Sequence, residues 1–286
     1  MNIPIPFLLP YSVLWRYILK KDRFLKFSLI VAGLLFFVTL LLLGYRLFQY
    51  HQGRRIYDSA IEIVKLPPLD QPSILDPVSS SDTTPAADSG RSDESPACVE
   101  ALSSMDITAL QAINTDVLGW ITIPDTILSY PLVQGSDNSY YLDHTWDHQN
   151  NIVGSIYLES SCSSDFSDFN TLIFGHRMNN LSMFGSLKAY KDLGYWTQHP
   201  DVLITDQSQT RTYRIFAAME AEITDPVYLV KVTATDEKQS VIDSILAKNI
   251  LNTGIVPTTD DQIITLCTCT GRGYESRFVV LAVLQN

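Results

Sequence analysis

The chain has 286 residues, 46% of them hydrophobic, which is enough apolar material for a sizeable core and a membrane segment besides. Its net charge of −11 is unevenly divided: residues 1–55 hold eight Lys/Arg and one acid, Asp22, a balance of +7, while the remaining 231 hold twelve Lys/Arg against thirty Asp/Glu, a balance of −18. A basic end on an acidic body argues for a membrane-proximal N-terminus and against nucleic-acid binding, which needs a basic face on the folded domain.

Taken in chain order, residues 1–26 open with IPIPFLLPYSVLW (3–15), apolar but broken by prolines and too short to span. Such a stretch suits the membrane interface, so 1–26 reads as a cytoplasmic or interfacial N-terminus. The run FSLIVAGLLFFVTLLLLGY, residues 27–45, carries no charge. At about 1.5 Å per residue it matches the roughly 30 Å of a bilayer core. Five basic residues precede it and three follow, which points the N-terminus to the cytoplasm and the body outside. A cleaved signal peptide is the rival, but GYRLFQYHQG offers no small-x-small cleavage site, so 27–45 reads as an uncleaved signal anchor. Ile56, Ala60, Ile63 and Val64 then recur at helical spacing and extend the helix outward as a stalk. The Pro/Ser/Asp-rich segment 67–97 cannot bury enough surface to fold and reads as a flexible tether, so 46–98 is stalk and linker.

From residue 99 to 286 the pattern is globular. VEALSSMDITALQAIN predicts one or two short helices. Eight apolar runs follow, LGWITIP, LSYPLVQ, GSIYLE, NTLIFGH, DVLITD, RTYRIFAAMEAEI, QIITLCTC and SRFVVLAVL, rich in Val, Ile, Thr, Tyr and Phe and separated by turn residues. That is the signature of an all-β sheet or barrel. LSMFGSLKAYKD and DEKQSVIDSILAKN, the latter with Val241, Ile242, Ile245 and Leu246 on one face, predict helices within the series. The fold expected is mainly β, a closed barrel of seven or eight strands decorated by helices.

Four cysteines are sparse for an extracytoplasmic domain of this size. Cys98 borders the linker and Cys162 sits in a Ser/Asp-rich loop, and nothing in their spacing supports a bridge. Cys267 and Cys269 share one face of a strand, a poor geometry for a disulfide, and no further ligands accompany them at zinc spacing. Each can be a buried apolar cysteine or a nucleophile. Arg277, on the next strand after the turn GRGYES, favours the second, because a guanidinium lowers a thiol's pKa and stabilises an oxyanion. A nucleophilic thiol also needs a proton carrier. His51 lies in the stalk and His199 before a proline, and His144 and His148, four apart, lack a third metal ligand. His176 ends the run NTLIFGH where the chain leaves a strand at a rim, the best position for an acid or base.

NTLIFGHRMNNLSMFGSL, TLCTC and the later Arg277 together resemble the sortases, membrane-anchored cysteine transpeptidases of Gram-positive bacteria. The helix before the barrel and the helix ahead of the cysteine strand resemble class B. The resemblance covers about residues 100–286 and implies a sortase-type barrel with Cys269 as nucleophile, His176 as proton carrier and Arg277 as oxyanion or substrate clamp. Cys267, Thr268 and Tyr228, in or near the cysteine strand and the loop 221–230, become substrate-binding candidates. Position 267 is often serine in that class, which leaves Cys267 either a lining residue or a redox partner. The implied reaction cleaves an LPxTG- or NPxTN-like C-terminal sorting signal after Thr through a thioester, then transfers the protein to an amine of a peptidoglycan precursor (a lipid II cross-bridge) or to a pilin lysine. It needs no metal or other cofactor, and Asp165 with Asp168 reads as a solvated loop. Two rivals remain: a non-catalytic surface receptor or adhesin with Cys269 in its core, and an L,D-transpeptidase, whose Ser-x-Gly-Cys motif is absent.

Overall fold

The computed structural model describes residues 11–65, 102, 104–269 and 275–285, with the backbone alone for residues 11–24 and Cys269. The stretch 3–10, the linker 67–97, Cys98 and the turn residues 270–274 lie outside the described residues. The chain falls into two compact units, Met1–His51 and Gln52–Asn286.

Helix α1 runs from Tyr11 to Ile63 and contains the apolar run expected at 27–45. Its stretch from Leu25 to Ile63 includes a window of mean hydropathy 2.6, long and apolar enough to cross a membrane. Leu29, Phe36 and Leu41 are each more than half exposed on it. Large apolar side chains open on all sides are what a helix solvated by lipid presents.

The second unit is a closed barrel of eight strands, and each of the eight apolar runs supplies one. They are β1 (Val117–Thr122), β2 (Ser129–Val133), β3 (Ile156–Leu158), β4 (Asn170–Phe174), β5 (Asp201–Thr205), β6 (Thr210–Glu222), β7 (Ile263–Cys269) and β8 (Ser276–Leu284). Their order around the barrel is β1-β2-β3-β4-β7-β8-β6-β5. Six of the neighbouring pairs are antiparallel, and β2 with β3 and β4 with β7 are parallel. A parallel pair needs a long crossover, and between β4 and β7 that crossover contains two strands and two α-helices. Residues 263–268 of β7 are buried without interruption, on both faces alike. Covered on both sides, such a strand reads as a continuous apolar run rather than an alternating one.

Short helices fill the connections. Helix α2 (Ile107–Gln111) precedes β1, its N-terminus capped by the Asp106 carboxylate on the Ala109 N–H. The segment expected as one helix over LSMFGSLKAYKD is a 3-10 run, Phe184–Lys191, followed by a separate helix α3 (Leu193–Gln198). Asp192 divides them: its backbone is extended at φ −109°, and its carboxylate accepts the Gly194 N–H to start the new helix. Helix α4 (Thr235–Lys248) forms where expected and buries Val241, Ile242 and Ile245. Leu266, in mid-β7, is completely buried. Leu266→Ala is expected to cost about 2–5 kcal/mol of stability, read as a lowered midpoint in urea followed by tryptophan fluorescence.

Candidate active site

The site is built at one end of the β4–β7–β8 ladder. In parallel pairing Leu172 lies opposite Thr265 and Phe174 opposite Cys267. The ladder extends one step past β4, where the Gly175 N–H donates to the Cys267 carbonyl at 3.2 Å. The next residue is His176, which leaves the sheet level with the end of β7. On the other side of β7, Cys269 is the Cα partner of Arg277 in β8. Paired residues share a face and alternate residues along a strand return to it. Leu172, Phe174, Thr265, Cys267, Cys269 and Arg277 therefore belong to one face, while Thr268, buried and paired with Phe278, belongs to the other.

That face floors a groove of about 320 Å³ lined by Asn138, Glu159, Leu172, Phe174, Ile223, Tyr228, Val230 and Arg277. Ile223, Tyr228 and Val230 come from the connection between β6 and α4, which includes the 3-10 turn Pro226–Tyr228. Asn170 at the start of β4 holds that wall. Its amide donates to the carbonyls of Val227 at 2.7 Å and Leu229 at 3.2 Å, while its carbonyl accepts the Thr265 hydroxyl at 2.7 Å. One buried side chain thus ties together β4, β7 and the groove wall. Glu159 forms part of the other side. Burial opposes its ionisation, but hydrogen bonds from Ser161 and Asn138 outweigh burial and hold the carboxyl below its usual range. The groove thus presents apolar surface between a carboxylate and the guanidinium of Arg277.

The family model for the Sortase domain matches residues 121–285, which include the whole of this arrangement. The chain belongs to the sortase family. It is a sortase of class B. It is 32% identical over 178 residues to Sortase B of Listeria monocytogenes, a match spanning 62% of this chain and 72% of that protein. The sortase B structure from B. anthracis in complex with AAEK1 superimposes with a TM-score of 0.64 at 26% identity, covering 83% of this chain and 98% of that one. The Staphylococcus aureus sortase B–substrate complex gives 0.60 at 25% identity, covering 63% of this chain and 84% of that one. As a class B sortase the protein is a transpeptidase.

Two cysteines of this sortase, Cys267 and Cys162, are buried. Cys267 is 1% exposed, and burial drives its thiol far above the usual range, with Arg277 acting against that rise and Cys162 adding to it. Cys162, in the turn after β3, is pushed up to about 11, again chiefly by burial. Tyr228 faces the same neighbourhood. Burial raises its hydroxyl, with Cys267 adding to the rise and Arg277 opposing it, and its oxygen has no hydrogen-bond partner among the described residues. His144 and His148 do not join the groove residues; they flank the Tyr140 ring, His144 stacked on it at 4.1 Å.

Asn138, Glu159 and Asn170 were not legible as site residues. No motif marks them, because register and crossover bring them together rather than spacing. Asn170→Ala leaves two carbonyls and a hydroxyl without their partner, so it is expected to cost on the order of 2–4 kcal/mol and to raise KM for a groove ligand more than it lowers kcat. Because neither Cys162 nor Cys267 forms a thiolate at mildly alkaline pH, iodoacetamide is expected to spare both in the folded chain and to modify both after unfolding, read by peptide mass mapping.

Proposed function

We propose that this class B sortase acts at the outer face of a membrane, with Cys269 as nucleophile, His176 as proton carrier and Arg277 as the clamp on the developing oxyanion. The observation that carries the reading is the register: Arg277 is the Cα partner of Cys269, and His176 follows the last rung of β4 beside β7. The protonated, walled-in state of Cys267 supports Cys269 as the reacting thiol and Cys267 as a lining residue, in preference to a redox partner.

In this reading the Cys269 thiolate attacks the threonine carbonyl carbon of a C-terminal LPxTG- or NPxTN-like signal lying in the groove. The carbonyl π electrons move to oxygen, where Arg277 balances the charge. The C–N bond breaks as the tetrahedral intermediate collapses, His176 gives its proton to the departing amine, and a thioester remains on Cys269. An acceptor amine then loses its proton to His176 and attacks the thioester, restoring the thiolate. The acceptor is an amine of a peptidoglycan precursor or a pilin lysine. The sortase B–substrate complex from S. aureus shows that a relative of this chain binds a substrate. Tyr228, on the wall of the groove, is the substrate contact we favour, while Cys267 is packed beneath the floor and Thr268 serves the packing of the opposite face.

The anchor completes the reading. Residues 27–45 span the bilayer with the N-terminus cytoplasmic, 46–98 carry the domain outward, and 99–286 catalyse outside the cell, where substrate and wall precursor are held at the same membrane and tethering raises their effective concentration.

Cleavage of a fluorogenic sorting pentapeptide, drawn from a small library of motifs, tests this. Cys269→Ala is expected to abolish it and Cys267→Ala to keep most of it. Arg277→Ala is expected to lower kcat by roughly 10²–10³-fold, the usual worth of an oxyanion donor. An active Cys269→Ala with a dead Cys267→Ala would reverse the assignment of the nucleophile. Failure of the wild type to cleave any peptide of the library would leave a non-catalytic receptor.

A further inference from the structure

The seat of His176 leads away from the groove and into the stalk. His176 Nε2 lies 2.6 Å from the carbonyl oxygen of Leu142, the last residue of the 3-10 turn Tyr140–Leu142. A carbonyl can only accept, so this bond puts the proton of the neutral ring on Nε2 and leaves Nδ1 as its acceptor nitrogen. Gly154 supports both partners of that bond. Its φ is +57°, and a Cβ there would stand 2.6 Å from the Leu142 oxygen and 3.0 Å from His176 Cδ2, so only glycine fits.

Gly154 is in turn held from 97 residues away: its carbonyl accepts the hydroxyl of Tyr57 at 2.5 Å. Tyr57 is on α1, within the barrel unit, and is 6% exposed. The same ring meets Tyr130 edge-on, with centroids 5.2 Å apart. The Tyr130 hydroxyl accepts the Met183 N–H at 3.1 Å, and the next residue, Phe184, donates its N–H to the His176 carbonyl at 3.0 Å. One route from Tyr57 reaches the His176 ring through Gly154 and Leu142. The other reaches its main chain through Tyr130 and the 183–184 segment. Close approach of the helix makes both possible, since a Cβ on Gly53 would lie 2.8 Å from Val153 Cγ2. The Trp146 indole N–H donates to the Ile56 carbonyl at 3.4 Å nearby.

We propose that Tyr57 is a positioning residue for His176: the docked end of the anchor helix holds the ring as its Nε2–H tautomer and thereby keeps Nδ1 as the working nitrogen. The catalytic part of this rests on His176 being the proton carrier; the mounting itself does not.

The test uses the full-length chain in lipid nanodiscs, labelled with ¹⁵N-histidine. His176 is assigned through His176→Asn, and the tautomer is read from the ring nitrogen shifts alongside kcat and KM for sorting-peptide cleavage. The wild type is expected to hold the Nε2–H tautomer. Tyr57→Phe, which keeps the ring and loses the hydroxyl, is expected to populate the Nδ1–H tautomer and to lose kcat roughly tenfold with KM little changed, the behaviour of a misplaced catalytic group. Gly154→Ala is expected to disturb the same nitrogen signals by crowding the seat directly. Ser59→Ala, two residues beyond Tyr57 and also losing a hydroxyl, is expected to match the wild type. Wild-type tautomer populations and kcat in Tyr57→Phe would overturn the proposal, as would disturbance by Gly154→Ala alone. A wild-type chain with the Nε2–H tautomer but no cleavage of any sorting peptide would sink the catalytic reading and leave the mounting intact.

Discussion

The parallel ladder between β4 and β7 is the constraint on which the site depends. Two strands running the same way end at the same end of the barrel, so Gly175, the residue after β4, bonds the Cys267 carbonyl although nearly a third of the chain separates them. β8 returns antiparallel, which brings its first residues to that same end. Register then selects the face. A slip of one residue would exchange the two faces of β7, turning Thr268 toward the groove and Cys267 away from it. Asn170 guards against this slip, because its carbonyl takes the Thr265 hydroxyl only when the two strands are aligned as they are.

The burial of Cys267 follows from its place inside the ladder. Cys267 is two residue pairs in from the end of the β7–β8 ladder, with Phe174 on one flank and Val279 on the other, and water cannot reach it to stabilise a thiolate. Cys269 is in the terminal pair of the same ladder. Arg277 works against the rise in Cys267, and burial still dominates. A cation near a buried thiol is therefore insufficient to offset its burial.

Helix α1 meets two environments along its length. Its apolar run exposes large side chains all round, while near its C-terminal end Gly53, Ile56, Tyr57, Ala60 and Val64 are buried at the three- and four-residue spacing of one helical face. Small residues at 53 and 60 permit the close approach, and the tyrosine between them supplies a hydroxyl where a glycine carbonyl on the barrel needs a donor. A stalk that only tethered a domain would have no use for such a contact.

Much was legible in the sequence because the physics there is local. Nineteen uncharged residues specify a spanning helix by length and transfer energy, eight β-branched and aromatic runs specify strands, and the amphipathic face of 235–248 specifies a helix. Cys269, His176 and Arg277 were visible because side chains of particular chemistry sit at strand ends marked by Gly and polar turns. The helix expected at LSMFGSLKAYKD is a 3-10 run instead, and the segment's last residue, Asp192, caps a separate helix that begins beyond it. What the sequence by itself determined, then, was the elements, the long apolar helix and where three candidate groups sit along the strands. Only the tertiary structure decided that β2 meets β3 and β4 meets β7 in parallel, that Asn138, Glu159 and Asn170 join the groove, and that Tyr57 reaches Gly154. These are contacts between segments far apart in the chain, and a linear pattern carries no record of which long loop closes on which.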